Sequence, residues 1–293
     1  MKSFIYDHYG YSIENENKEF EYNNFTFSLE SHDKTLLELE EMNNYTISLA
    51  RDLYGKRAYI VPTRKDKLMV NQQYENISLV AVENFKISID DLIKMHQVHW
   101  KKAKNIKLSF IKNRWINKLD FIENKVLPSL RVDDYYYQII FVCFIHSSGM
   151  ACNAITYLQD CIIDYGDNME NVTLAHKRMK LTSYDLINPF NLIVDSPMRD
   201  LAELYKNDLI DDNKLFELFK LYQVNNKDLS LFFSRLLYPS QFFDLLEEEY
   251  EKRENIFRHI ENYYFSIEKQ EERIKKIHSY LTKNYGLRNI NWL

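Results

Sequence analysis

The chain is poor in glycine and proline, with five of each among 293 residues. These two residues break helices and build tight turns. Their scarcity argues against a loop-rich, many-turned architecture and for long helices with short connections. Cysteine is scarce as well: Cys143, Cys152 and Cys161 are odd in number and lack a close C-x-x-C pair, and their spacing argues against one shared metal site. At nine-residue intervals in a helix they alternate between opposite faces, and they read as buried thiols. There is no basic excess. A net charge of -5 gives no electrostatic case for a nucleic-acid partner, which calls for a basic face. The local cluster Lys101, Lys102, Lys104, Lys107 and Lys112 reads as a solvated surface. Long apolar runs are missing too: the longest, Ile139 to Ile145, stops at His146, short of the roughly 18 residues of a membrane span. The opening MKSFIYDHYG lacks the apolar stretch of a secretory signal. The expectation is a protein made in the cytoplasm, with no membrane span.

What is present is periodicity. Phe20 and Tyr22, then Phe25, Phe27 and Leu29, alternate around Asn23-Asn24, a hairpin signal. Leu36, Leu39, Met42, Leu49 and Leu53 follow at helical spacing up to Gly55. Glu38, Glu40 and Glu41 on that helix read as an exposed acidic face. Three short strands are expected around 59–61, 68–70 and 77–82. Ser88 with Asp91 forms a capping box before a helix carrying His96 and His99, an i, i+3 pair without a third metal ligand nearby. Ile111, Trp115, Leu119, Ile122 and Val126 repeat at helical spacing. Asp133 or Asp134 then opens a long helix to about Ile163, apolar almost all round in its first half, as a buried central helix would be, with His146 as a core or cleft histidine. The remainder reads as helical: Leu215 to Tyr222, Leu231 to Leu237, and terminal helices with a heptad-like repeat and the pairs Glu248 with Lys252 and Glu271 with Lys275. Packing within one helical body is the preferred reading of that repeat.

One stretch carries a constellation with catalytic-site spacing. It runs through His176-Lys177-Arg178, Ser183, Leu186-Ile187-Asn188-Pro189-Phe190 and Asp195-Ser196-Pro197-Met198-Arg199-Asp200-Leu201-Ala202. Its order resembles the catalytic loop, metal loop and following helix of the aminoglycoside-phosphotransferase and choline-kinase-like branch of the kinase fold. Further segments include Tyr9-Gly10-Tyr11, Leu37-Glu38-Leu39-Glu40-Glu41-Met42, Asn153 to Asp160, Ser234-Arg235-Leu236-Leu237-Tyr238-Pro239-Ser240-Gln241 and the closing Asn291-Trp292-Leu293. Together they resemble, nearly end to end, the spore-coat-associated kinase-like group of Gram-positive spore formers that includes YutH and CotS, with the YutH side nearest.

The resemblance implies an α+β, bilobal protein-kinase-like fold: a small strand-containing N-lobe over residues 1–84, then a connector and a mostly helical C-lobe over 85–293. It also implies what the site has lost. In those kinases the loop reads His-Gly-Asp, its Asp acting as the base, with an Asn and a second Asp that hold Mg²⁺. Here Arg178 stands at the base position and Ser183 and Asn188 at the metal positions. No Gly-rich loop joins the first strands, and Phe25-Thr26-Phe27-Ser28-Leu29-Glu30 carries no phosphate-binding lysine. His176 and Arg178 are expected to form a basic floor for an acidic partner or a bare phosphate, with Asp195, Arg199 and Asp200 ordering the loop beneath. No catalytic residue, metal or cofactor is expected, and the implied partners are other spore-coat proteins. Two rival readings stand beside this one. An active phosphotransferase would use ATP and Mg²⁺ with Asp185 or Asp195 replacing the missing carboxylates, and a helical adaptor would assemble through its C-terminal heptads.

Overall fold

The structure is a computed structural model that describes residues 1–13, 18–72, 75–103, 105–130, 134–252 and 257–291. In chain order its elements are α1 (Lys2–Tyr9), β1 (Glu19–Tyr22), β2 (Phe25–His32), α2 (Leu36–Tyr54), β3 (Ala58–Val61), β4 (Val70–Asn71), β5 (Asn76–Glu83) and α3 (Ile89–Val98). Then come β6 (Lys101–Lys102), α4 (Leu108–Phe121), α5 (Leu127–Ser129), α6 (Asp134–Tyr165), β7 (Asn171–His176), α7 (Ser183–Ile187) and β8 (Leu192–Asp195). The last are α8 (Met198–Lys206), α9 (Asp212–Leu221), α10 (Asn226–Leu237), α11 (Ser240–Lys252) and α12 (Phe257–Tyr285). These residues form two compact units, one of Met1–Trp100 with Thr173–Pro197, the other of Lys101–Val172 with Met198–Leu293. The loop-bearing segment 173–197 thus belongs with the strand-rich unit.

In the strand-rich unit the antiparallel order is β1-β2-β5-β3, with β4 also paired to β5. The hairpin turns on Asn23 and Asn24, both at positive φ (47° and 65°), a conformation that asparagine tolerates better than other residues with a Cβ. Phe25, Phe27 and Leu29 on β2 meet Leu79 and Ala81 on β5 and Ile5 of α1 in a core from which water is excluded. The stacked rings of Phe20 and Phe27, 5.0 Å apart, lock the hairpin register. The expected Ser88–Asp91 capping box forms, and a second one joins Thr35 and Glu38 at the start of α2; Glu38, Glu40 and Glu41 are all exposed. Gly55, at φ 63°, ends α2. Asn43 then accepts the Ile60 amide (2.7 Å), tying that helix to β3. Four residues of β7 pair with β8 in register from Thr173↔Asp195 to His176↔Leu192. The first helix was not foreseen. α1 is held to the unit by Arg64, whose amide donates to the His8 carbonyl (2.8 Å) and whose guanidinium lies 5.0 Å from the Tyr6 ring.

In the helical unit α10 is buried along nearly its whole length and packs on α6, α8 and α12. The terminal helices pack within this unit too: α12 lies on α6, α10 and α11, and Glu271 pairs with Lys275 (3.8 Å). The expected Glu248–Lys252 pair, Lys104, Asp133 and the final Trp292-Leu293 lie outside what is described. Two expectations are corrected. The first half of α6 is apolar all round but buried on one stripe only, Ile140, Cys143 and Phe144, while Tyr137, Phe141, Val142 and Ile145 are about half exposed. Over Tyr136–Tyr165 this helix is long and apolar enough to cross a membrane by length and composition, with 39% of its most apolar window buried. Cys143 and Cys161 are buried as expected, but Cys152 is exposed. The nine-residue spacing explains this: it puts Cys152 half a turn away from the other two.

Candidate functional site

β7 delivers His176 to the end of a buried strand. Its ring is fully buried, and Nε2 lies 3.2 Å from the Leu186 carbonyl. The chain then turns away, and an amide side chain holds the turn. Asn191 Nδ2 donates to the Arg178 and Asp185 carbonyls, both at 2.7 Å, and Asn191 Oδ1 accepts the Arg178 amide at 3.0 Å. The Lys177 amide donates to the Asn191 carbonyl (2.8 Å). Next, α7 is capped by Thr182, whose hydroxyl accepts the Asp185 amide (3.0 Å). The Asp185 carboxylate in return accepts the Thr182 hydroxyl (2.8 Å) and the Lys180 amide (3.2 Å), so that carboxylate is engaged in the cap.

Strand β2 reaches the same loops through Glu30. Its Oε1 accepts the Tyr184 hydroxyl (2.5 Å) and the Asn188 amide nitrogen (2.9 Å). Asn188 Oδ1 accepts the Phe190 amide (3.0 Å), so both ends of this buried side chain are engaged. Burial pushes the Tyr184 phenol far up, and the Glu30 charge pushes it further. Glu19 is likewise raised, first by burial and then by Glu30 and Asp185. Three carboxylates therefore share one electrostatic neighbourhood. At its edge His32 stacks on Phe190 (5.1 Å) and contacts Ser78 Oγ (2.9 Å). Its pKa is lowered by burial, then by Lys34.

The structure gathers His176, Lys177, Arg178, Ser183, Asn188 and Asp195 into the strand-rich unit and puts Arg199 and Asp200 on the first turn of α8 in the helical unit. Ser183 is buried at the start of α7. Asp195 is buried at the end of β8, where Oδ1 accepts the Ser196 amide (2.7 Å). Asp200 is fully buried, and its charge adds to burial in raising the Tyr222 phenol. The basic floor is not built as expected: His176 has no exposed surface, which leaves Lys177 exposed and Arg178 half-buried. The Arg178 guanidinium donates to the Lys177 carbonyl (2.8 Å). Sequence reasoning passed over Glu30, Tyr184 and Asn191. For Glu30 a signal existed: the alternation that sends Phe25, Phe27 and Leu29 to the core sends Thr26, Ser28 and Glu30 to the other face.

The sequence model of one protein family, described as "Spore coat putative kinase YutH", matches residues 2–285. No curated protein sequence matches the chain. Among solved structures, an aminoglycoside phosphotransferase from Alicyclobacillus acidocaldarius aligns with a TM-score of 0.53 at 11% identity, covering 91% of this chain and 93% of that one. A spectinomycin phosphotransferase, APH(9)-Ia, solved with ADP and spectinomycin, aligns with a TM-score of 0.51 at 12% identity, covering 92% of each chain. At such identities the likeness establishes the fold, an α+β kinase-like one, and leaves activity to the site.

Proposed function

This chain belongs to the spore-coat kinase-like family named for YutH, and on that premise we propose that it is a spore-coat-associated protein that uses the kinase scaffold to bind other coat proteins and does not transfer phosphate. The observation that carries this reading is the Glu30–Asn188–Tyr184 cluster. By the resemblance β2 is the strand on which such kinases carry a phosphate-binding lysine; it holds no lysine and ends its inward reach in the carboxylate of Glu30. Where they present a metal-binding Asp, the amide of Asn188 is turned onto that same carboxylate at 2.9 Å.

Mg²⁺ with a nucleotide does not fit these residues. A carboxamide is a weaker Mg²⁺ ligand than a carboxylate, and the only oxygen of the Asn188 side chain already accepts the Phe190 amide. Arg178 stands in place of the base, and a guanidinium stays protonated. Glu19, Glu30 and Asp185 oppose a polyphosphate on charge alone. Asp185, one candidate for a relocated catalytic carboxylate, is engaged in capping α7. Protein contact is also the use to which a fold without its chemistry is readily put, since it needs surfaces and no reacting groups.

The test is a thermal-shift titration with ATP and MgCl₂, for which no stabilisation is expected. A metal-dependent rise in Tm that disappears on Asp195→Ala would establish a relocated active site and overturn the reading. Fractionation through the life cycle addresses the spore assignment, which a protein confined to vegetative cells would defeat.

A further inference from the structure

We propose that the helical unit carries a self-association surface, on which the uncovered face of α6 pairs antiparallel with the same face of a second copy of this chain. From Tyr135 to Gln159 the helix holds no Asp, Glu, Lys or Arg. Only one side of it is covered: α4, α10 and α12 pack on it, while Tyr137, Phe141, Val142 and Ile145 stand about half exposed. A helix that is apolar all round normally has all its sides covered, and a cluster of exposed large apolar side chains marks a contact surface. The exposed line is also regular. Gln138, Val142, Ile145, Gly149, Cys152 and Thr156 are all exposed and follow one another by four, three, four, three and four residues, which is the spacing of the seam between two coiled helices.

The order of side chains along the seam identifies the occupant. Larger residues fill its first half and smaller ones its second, and the six positions are symmetric about Ser147. A second copy turned about a two-fold axis level with Ser147 sets Ile145 against Gly149, Val142 against Cys152 and Gln138 against Thr156. Each larger side chain then meets a smaller one in both directions, as an isologous contact requires. Gly149 is the sharper sign. Glycine in a helix interior is destabilising relative to alanine, and nothing inside the chain asks for it: a Cβ at that position would meet no heavy atom within 4 Å. The room it leaves lies outside the protein, where Ile145 of the second copy would enter. The uncharged stretch does not repel its own copy, and it offers nothing to select a partner of opposite charge. A lipid surface is a poorer match, because Gly149, Cys152 and Thr156 offer little to hydrocarbon. At a rise of 1.5 Å per residue the seam is about 27 Å long, and a strip of that length one helix wide covers roughly 300 Å². A standard interface buries about 800 Å² per partner, so a weak dimer is expected, with Kd on the order of 10–100 µM.

Sedimentation equilibrium of the full-length, reduced protein from about 2 to about 200 µM should show the mass rising from monomer toward dimer. Gly149→Leu adds a side chain where the chain itself leaves open space, so its Tm should hold or rise while the dimer weakens by about ten-fold or more. Val142→Cys, oxidised with copper phenanthroline, should give a disulfide-linked dimer through Cys152 of the second copy, and adding Cys152→Ser should abolish that link. The wild-type protein should not link. In this pairing Cys152 lies roughly 15 Å from its own counterpart along the helices, beyond disulfide reach, and Cys143 and Cys161 are buried. A monomer at about 200 µM would leave the face to another occupant and overturn the proposal. So would a monomer that cosediments with phosphatidylcholine vesicles, a Gly149→Leu dimer as strong as the wild type, or wild-type Cys152 linking to itself while the Val142→Cys link fails. None of these readouts involves ATP, so the outcome is separate from that of the nucleotide titration.

Discussion

The loops after β7 and the α10–α11 turn of the helical unit use polar side chains in opposite ways. Around Asn188 and Asn191 the amide groups meet a backbone group or Glu30, and the loop is closed by its own hydrogen bonds. Around Ser240, at the α10–α11 turn, a buried hydroxyl is left without a hydrogen-bond partner among the described residues. Unfilled hydrogen-bonding capacity is what a binding site needs, because a group already paired must break a bond to take a ligand. The comparison teaches that Asn188 and Asn191, in the sequence positions of a catalytic loop, spend their amide groups on holding that loop.

The sharpest way to break the comparison is to remove Asn191. Asn191→Ala deletes three hydrogen bonds at 2.7–3.0 Å, worth roughly 1 kcal/mol each, so a loss of about 3 kcal/mol is expected. Urea denaturation measures it, and a loss under about 1 kcal/mol would mean that other groups hold the turn.

Asn188→Asp comes next. It restores the kinase residue type but sets a second carboxylate where an amide now donates to Glu30 at 2.9 Å. We expect a destabilisation of about 2 kcal/mol, mostly relieved when Glu30→Gln is added. A stable single mutant that also gained Mg²⁺-dependent ATP binding would show that one substitution separates this site from a working one.

Much of this architecture could be read from the chain, and the reasons are local. The Asn23-Asn24 hairpin, the Ser88–Asp91 capping box, the Gly55 stop and α12 all depend on residues within a turn or two of one another. The kinase-like fold was legible only through resemblance, since strand order and the joining of residues 173–197 to the strand-rich unit are long-range facts. The site was half legible. Spacing located Arg178, Ser183 and Asn188, but Glu30 lies 158 positions from Asn188 in the chain, and no periodicity links them. The exposed face of α6 was missed for a different reason: apolar composition predicts burial, yet which stripe is covered depends on the neighbouring helices. His176, expected in a basic floor beside Arg178, is a fully buried strand residue.

A smaller effect is expected at the end of the helical unit. Arg288 forks onto Asp164 (2.7 and 2.6 Å) and reaches Asp160 (3.2 Å), fastening the segment after α12 to α6. The Arg288 side chain is about half exposed (47%), and exposed ion pairs contribute little, so Arg288→Ala should cost much less than Asn191→Ala, and less still in high salt. A loss as large as that of Asn191→Ala would show that the helical unit too depends on one polar clasp.

The smallest effect is in the pH response, to which buried histidines and Glu19 contribute with opposite sign. In the helical unit burial lowers the pKa of His146, with Glu271 opposing it, and of His278, with the Arg288 carbonyl opposing it. Between such a lowered value and the ordinary 6.5, the folded protein binds fewer protons than the unfolded chain. The stability linked to these rings is therefore complete above that ordinary value and is lost as the pH falls through the window. Glu19 of the strand-rich unit behaves in the reverse sense. Its pKa is raised above 4.5, first by burial and then by Glu30 and Asp185, so its contribution weakens as the pH rises from 4.5 through the folded value. His32 in the same unit is lowered by burial and Lys34 and follows the histidine pattern, so a whole-protein melt would mix the two. Site-resolved NMR titration keeps them apart. His146 and His278 should titrate below their ordinary midpoint and Glu19 above its own, and Glu30→Gln should move Glu19 back toward 4.5 while leaving both histidines in place. A Glu19 midpoint indifferent to Glu30→Gln would mean that these carboxylates do not share a field, and the charge argument against a polyphosphate at the kinase-like loops would fail with it.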